Sequence, residues 1–133
     1  MRVQLSVLAC LISATLGCAS GSQSVGGGGS AGDVVRHVVL FKFKDDAPAD
    51  KVRMIEAKFA ALKTQIPQII DFEWGTNMSP ENHAQGFTHC FFLTFSDAKS
   101  RDAYLPHPAH KEFGAMLGPY LDKVLVVDYV SRR

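Results

Sequence analysis

The stretch "VVRHVVLFKFK", residues 34–44, decides the fold. Its β-branched and aromatic residues read as a strand, and alternation divides its side chains between two faces. Val35, Val39, Phe41 and Phe43 point one way, and Val34, Val38 and Leu40 the other. "FTHCFFLTF" (87–95) behaves alike, with Phe91, Leu93 and Phe95 opposing Cys90 and Phe92. In "KVLVVDYV" (123–130), Leu125, Val127 and Tyr129 oppose Val124, Val126 and Val130. Strands apolar on both faces must be covered on both faces.

Working outward, "DDAPADKVRMIEAKFAALKTQIP" (45–67) follows the first strand. Pro48 suits a first helical turn, acidic residues stand at the positive end, and Val52, Ile55, Phe59, Leu62 and Ile66 recur at helical steps. Pro67 stops the helix, and "IIDFEWGTN" (69–77) is a second strand. A polar turn-rich loop leads to the third. Ser96 reads as the N-cap of a short helix reaching Leu105. A further helix spans 108–117, ended by Gly118-Pro119, and the last strand closes the chain. The order β-α-β-β-α-α-β predicts an α+β fold, a ferredoxin-like four-stranded antiparallel sheet with helices on one face. Leaving the other face wet forfeits roughly 1.5–3 kcal/mol for each large side chain on it. A homodimer packed sheet to sheet is therefore expected, with residues 34–133 as its domain.

The first eighteen residues stand apart. In "MRVQLSVLACLISATLGC", Arg2 precedes an apolar run too short for a transmembrane span, the pattern of an export signal. "TLGC" resembles a bacterial lipobox with Cys18 as the lipidated residue, although Thr15 stands where leucine is commonest. Residues 19–33, "ASGSQSVGGGGSAGD", are rich in Gly and Ser and read as a flexible tether reaching about 20 Å. The expectation is a lipoprotein anchored in the bacterial cell envelope, touching the membrane only through its lipid.

The whole chain holds 14 basic and 13 acidic residues, and removal of Arg2 leaves 13 of each. Such a balance supplies no basic field for nucleic acid or anionic lipid. Cys10 and Cys18 fall in the leader, so Cys90 is the single thiol of the domain and reads as a small buried hydrophobe.

Chemistry concentrates in "DAYLPHPAHKEFG" (102–114). Pro108 suits a first helical position and pushes His107 out of helical geometry, making it a cap. His110 falls in the first turn, where positive charge is disfavoured, and a neutral ring is what a general base requires. Tyr104, exposed-looking at the preceding helix end, stands within reach across the corner. The plainer alternative is a capped corner with Tyr104 in the core and its hydroxyl satisfied. His37 and His89 alternate with apolar residues and point inward, but each begins its strand, and antiparallel pairing sets them toward opposite ends. The proline between His107 and His110 spoils a regular metal-binding presentation, and neither a metal nor a cofactor is expected.

"RHVVLFKFKDDAP", "WGTN", "GFTHCFFLTF", "YLPHPAHKEFG" and "VVDYV", in this order, resemble the stress-responsive A/B barrel (Dabb) family over about residues 35–130. The resemblance implies a dimeric α+β barrel. A cyclase of that family closes a linear polyketide by an aldol step. Its catalytic histidine falls on His110 and its tyrosine on Tyr104; assisting histidines fall on His37 and His89. A tyrosine lining its pocket falls on Phe59, making the pocket here less polar. Three roles follow: a stress-associated or ligand-holding dimer for a small apolar or carbonyl ligand, an acid–base enzyme on a small carbonyl compound, and, least favoured, a cofactor-free oxygenase or haem-binding relative.

Overall fold

The computed structural model describes residues 33–132. The leader, Cys18 and the tether up to residue 32 lie outside the described residues. Strand β1 (Val35–Phe43), helix α1 (Ala49–Gln65), β2 (Asp71–Thr76), β3 (His89–Phe95), α2 (Ala98–Tyr104), α3 (Pro108–Leu117) and β4 (Leu121–Val130) follow in order, with a 3-10 turn at Gly118–Tyr120. The strands form one antiparallel sheet in the order β2-β3-β1-β4.

Alternation in β1 is strict. Val35, His37, Val39, Phe41 and Phe43 are buried beneath the helices, and the residues between them are half-buried. Against that row α1 lays Ile55, Phe59 and Leu62, one to each turn, and Ile66 at its C-cap is fully buried. Pro48 is the N-cap of α1 and not a residue of its first turn. The cap of α2 is Asp97, one residue beyond Ser96: its carboxylate accepts from the Ser100 N–H at 2.7 Å. In the β2–β3 connection the backbone turns through positive φ at Asn82, Gln85 and Gly86. At Gly86 it is the φ of 86° that favours glycine; a Cβ there would lie 2.9 Å from Lys42 Cε, a contact that the flexible lysine can yield.

Two features differ from the expectation. Cys90 is exposed, because it alternates with Phe91 and so stands on the helix-free side, which none of the described residues covers within one protomer. Nor do the helices reach the whole of the sheet's other side. On β4 the residues opposite buried Phe41, Val39 and Val35 are Val124, Val126 and Val130, and each is about half exposed. The alternate row, Leu125, Val127 and Tyr129, is equally bare. The helices sit over β2, β3 and β1, so most of the edge strand β4 is bare on both faces, although the Arg101 side chain of α2 reaches it at Asp128. The helix-free side is not wholly apolar, since the Arg36 guanidinium lies 5.2 Å over the Phe92 ring.

Candidate functional site

The proline corner forms as its residues dictate. Extended at φ −58°, ψ 135°, His107 caps α3, its Nδ1 accepting from the Ala109 N–H at 3.2 Å. Pro108 opens the helix, placing His110 third in its first turn. There His110 Nδ1 lies 2.9 Å from the Leu105 carbonyl oxygen. A carbonyl can only accept, so Nδ1 carries the proton of that bond and Nε2 is the ring's basic atom.

Three of the expected residues come together. The Tyr104 ring lies 4.3 Å from that of His110 and meets His37 edge to face at 5.7 Å. Phe95 closes the stack, 5.2 Å from Tyr104 and 6.2 Å from His37. Tyr104 is fully buried, which corrects its exposed appearance in the sequence: α2 turns this side chain under itself onto the sheet. Its hydroxyl has no hydrogen-bond partner among the described residues, and burial drives its pKa far above the ordinary phenol value. It stays protonated, a donor without an acceptor. An orphaned buried hydroxyl costs about 1–3 kcal/mol. Tyr104→Phe is therefore expected to raise stability by about that amount in urea unfolding. A variant less stable than the wild type would mean that the hydroxyl already has a partner.

Two residues of the site carry no sequence signal beyond their charge. On β4, Asp128 stands opposite His37 in the ladder, and its Oδ1 is 2.6 Å from His37 Nδ1. The other carboxylate oxygen pairs with the Arg101 guanidinium from α2. An acid interrupting the apolar run of β4 was the available clue to Asp128. For Arg101, which lies on a short polar helix, there was none. Burial pulls the pKa of His37 below its ordinary value, against the hydrogen bond and charge of Asp128.

His89 and Phe59 lie elsewhere. His37 faces Leu93 whereas His89 faces Phe41, four residues along β3 or about 13 Å. His89 is bonded at both nitrogens, Nε2 to Glu56 Oε1 at 3.0 Å and Nδ1 to Thr88 Oγ1 at 2.8 Å. No ring nitrogen is left for a ligand. Phe59, 2 % exposed, sits among Phe41, Phe72, Phe91 and Phe113 with ring centroids 4.5–5.7 Å away, so it fills the core and lines no pocket.

Two hollows stand out among the described residues; neither is lined by His37, Tyr104 or His110, whereas His89 does line the larger. The larger, about 570 Å³, lies under the β2–β3 connection against Leu40, Trp74, Phe87 and Phe92; the smaller, about 120 Å³, separates α1 from α3. Among the described residues no group of three or more His, Cys, Asp or Glu side chains is placed to hold a metal ion.

The fold and motifs have known counterparts. A stress-response A/B barrel domain-containing protein of Arabidopsis thaliana, HS1, is 41% identical over 95 residues, 71% of this chain and 87% of that protein. Olivetolic acid cyclase of Cannabis sativa is 30% identical over 99 residues, 74% of this chain and 98% of the cyclase. Among solved structures, a hydroxynitrile lyase from Passiflora edulis superposes with TM-score 0.71 at 27% identity, over 75% of this chain and 94% of that one. A dimeric protein of ferredoxin-like fold from Bacteroides fragilis superposes with TM-score 0.61 at 28% identity, over 74% and 96%. The family model of the Stress responsive A/B Barrel Domain matches residues 35–131, nearly the whole of the described chain, and to that family the chain belongs.

Proposed function

We propose that this domain binds a small, largely apolar carbonyl compound between Tyr104, His110 and His37 and performs acid–base chemistry on it. The carrying observation is the buried Tyr104 hydroxyl, protonated and without a partner, against a histidine whose Nε2 is its basic atom. Tyr104 would donate to the carbonyl oxygen, and His110 would take and return a proton at the neighbouring carbon. Two of the similar proteins are a cyclase and a lyase by name, which supports chemistry over storage. The competing reading is a ligand-holding dimer without turnover; that Tyr104 is sealed from solvent in the protomer, with neither hollow reaching it, favours the plainer capped corner over both.

Heptan-2-one, an apolar chain with one carbonyl, separates the two readings. Followed by NMR in deuterium oxide, the wild-type protein is expected to speed exchange of its α-protons. His110→Ala should lose about 10²–10⁴-fold of that rate, the usual contribution of a positioned acid or base. Binding of the ketone without accelerated exchange would instead support the holding role.

The assembly and placement belong to the same proposal. The sheets of two copies pack face to face, which would cover Cys90 and the Leu125–Val127–Tyr129 row; dimeric relatives of this fold support a dimer, and the apolar residues on that face support this way of forming it. The leader and the lipobox-like Cys18 support an exported protein anchored by lipid to the cell envelope, its tether residues 19–33. Cys18→Ala is then expected to move the protein from the membrane to the soluble fraction; unchanged membrane association would remove the anchor from the proposal.

A further inference from the structure

Asp128 has its two oxygens divided between two partners on different elements. Oδ1 holds His37 Nδ1 of β1 at 2.6 Å, and Oδ2 holds the Arg101 guanidinium of α2. Arg101 lies one helical turn before Tyr104, and its Nε is fixed in turn by Asp102 Oδ1 at 2.9 Å. One carboxylate thus ties β1, β4 and the helix that carries Tyr104. The second carboxylate–histidine pair, Glu56–His89, leaves no ring nitrogen free, because Thr88 occupies the other one. In the first pair His37 Nε2 has no such partner among the described residues.

A carboxylate only accepts, so the bond to Asp128 keeps a proton on Nδ1. In the neutral ring the lone pair is then on Nε2, within a ring that meets Tyr104 edge to face. We propose that Asp128 and Arg101 are positioning residues of this site: Asp128 sets the tautomer that makes His37 a second proton acceptor beside His110, and Arg101 shares the carboxylate and anchors the Tyr104 helix to it. This rests on the acid–base reading above.

The groups that face His37 are Asp128 from β4, Arg101 and Tyr104 from α2, His110 from α3 and Phe95 from β3. Burial, His110 and Arg101 oppose a charge on the ring, and Asp128 favours one. Removing Arg101 must therefore make protonation easier, and removing the Asp128 charge must make it harder. The two changes have opposite signs, which loss of packing alone does not produce.

Nitrogen-15 NMR of the histidine rings, titrated from about pH 8 to pH 5 across the histidine range, tests this without any ligand. In the wild type His37 is expected as the Nδ1–H tautomer when neutral, protonating below the ordinary histidine midpoint. Arg101→Gln should keep that tautomer and shift the midpoint upward. Asp128→Asn should shift it downward and move the proton to Nε2, and Asp128→Glu should restore the Nδ1–H form. Signals of His89, bonded at the far end of the sheet, report whether each variant keeps its fold. A neutral wild-type His37 protonated at Nε2, shifts of the same sign in both variants, or no restoration by glutamate would each overturn the proposal. Ketone exchange is measured separately, so loss of the acid–base reading would be visible even where His37 behaves as expected.

Discussion

Phe59→Ala is expected to destabilise the protein by about 3–5 kcal/mol, the range for truncating an aromatic side chain in a close-packed core. The ring is 2 % exposed and lies within 4.6 Å of both Phe91 and Phe113, centroid to centroid. Those neighbours come from β3 and α3, so collapse around the gap would have to move a strand and a helix together. Urea unfolding at fixed protein concentration measures the loss, because stability linked to dimerisation depends on concentration. A loss below about 1 kcal/mol would contradict a core position. It would return Phe59 to the pocket-lining role that resemblance alone suggested, with ligand affinity changing in place of stability.

Val127→Lys is expected to turn the dimer into a monomer. Val127 stands in the bare row of β4 on the helix-free side, about half exposed in one protomer. In a two-fold assembly each substitution appears twice at the interface. Burying an unpaired ammonium costs several kcal/mol, and about 1.4 kcal/mol is tenfold in affinity, so dissociation should strengthen by at least about 10³-fold. Light scattering across a dilution series reads this directly, and a lysine variant still dimeric at nanomolar concentration would exclude face-to-face packing. Val126 makes the complementary measurement. It lies on the helix side of the same strand, and stacking of sheets does not reach it. If Val126→Lys also weakens the dimer, the partner wraps the edge of β4 as well as covering its face.

Much of the architecture was legible because the chain punctuates it. Helix α3 runs from Pro108 to Leu117 as read, since proline fixes its start and Gly118-Pro119 its end. The inward set of β1 follows from alternation alone, which placed His37 and His89 beneath the helices. Where two polar residues compete for one cap, as Ser96 and Asp97 do, propensity does not choose; the carboxylate reaches the Ser100 N–H and wins. The site was harder. His110 and Tyr104 stand six residues apart, so a corner joins them locally. Asp128 reaches His37 across 91 residues, a pairing set by the β1–β4 register, which alternation cannot supply. Cys90 shows the converse: exposed in one protomer, it is buried only if the proposed twin covers its face. Its residue type favours burial, but its face is decided by Phe91 beside it.

The bare edge strand has a consequence for the life of the chain before assembly. Val124 to Val127 form an uninterrupted greasy run guarded by Lys123 on one flank and Asp128 on the other. Within one protomer β4 is hydrogen-bonded to β1 on one side only, so alternate residues turn main-chain groups outward to any passing strand. Correct pairing is bimolecular, so a newly made copy at low abundance waits longest in its adhesive form. Asp128 then serves two ends at once, steadying an imidazole in the finished molecule and discouraging fibrous stacking in the unfinished one.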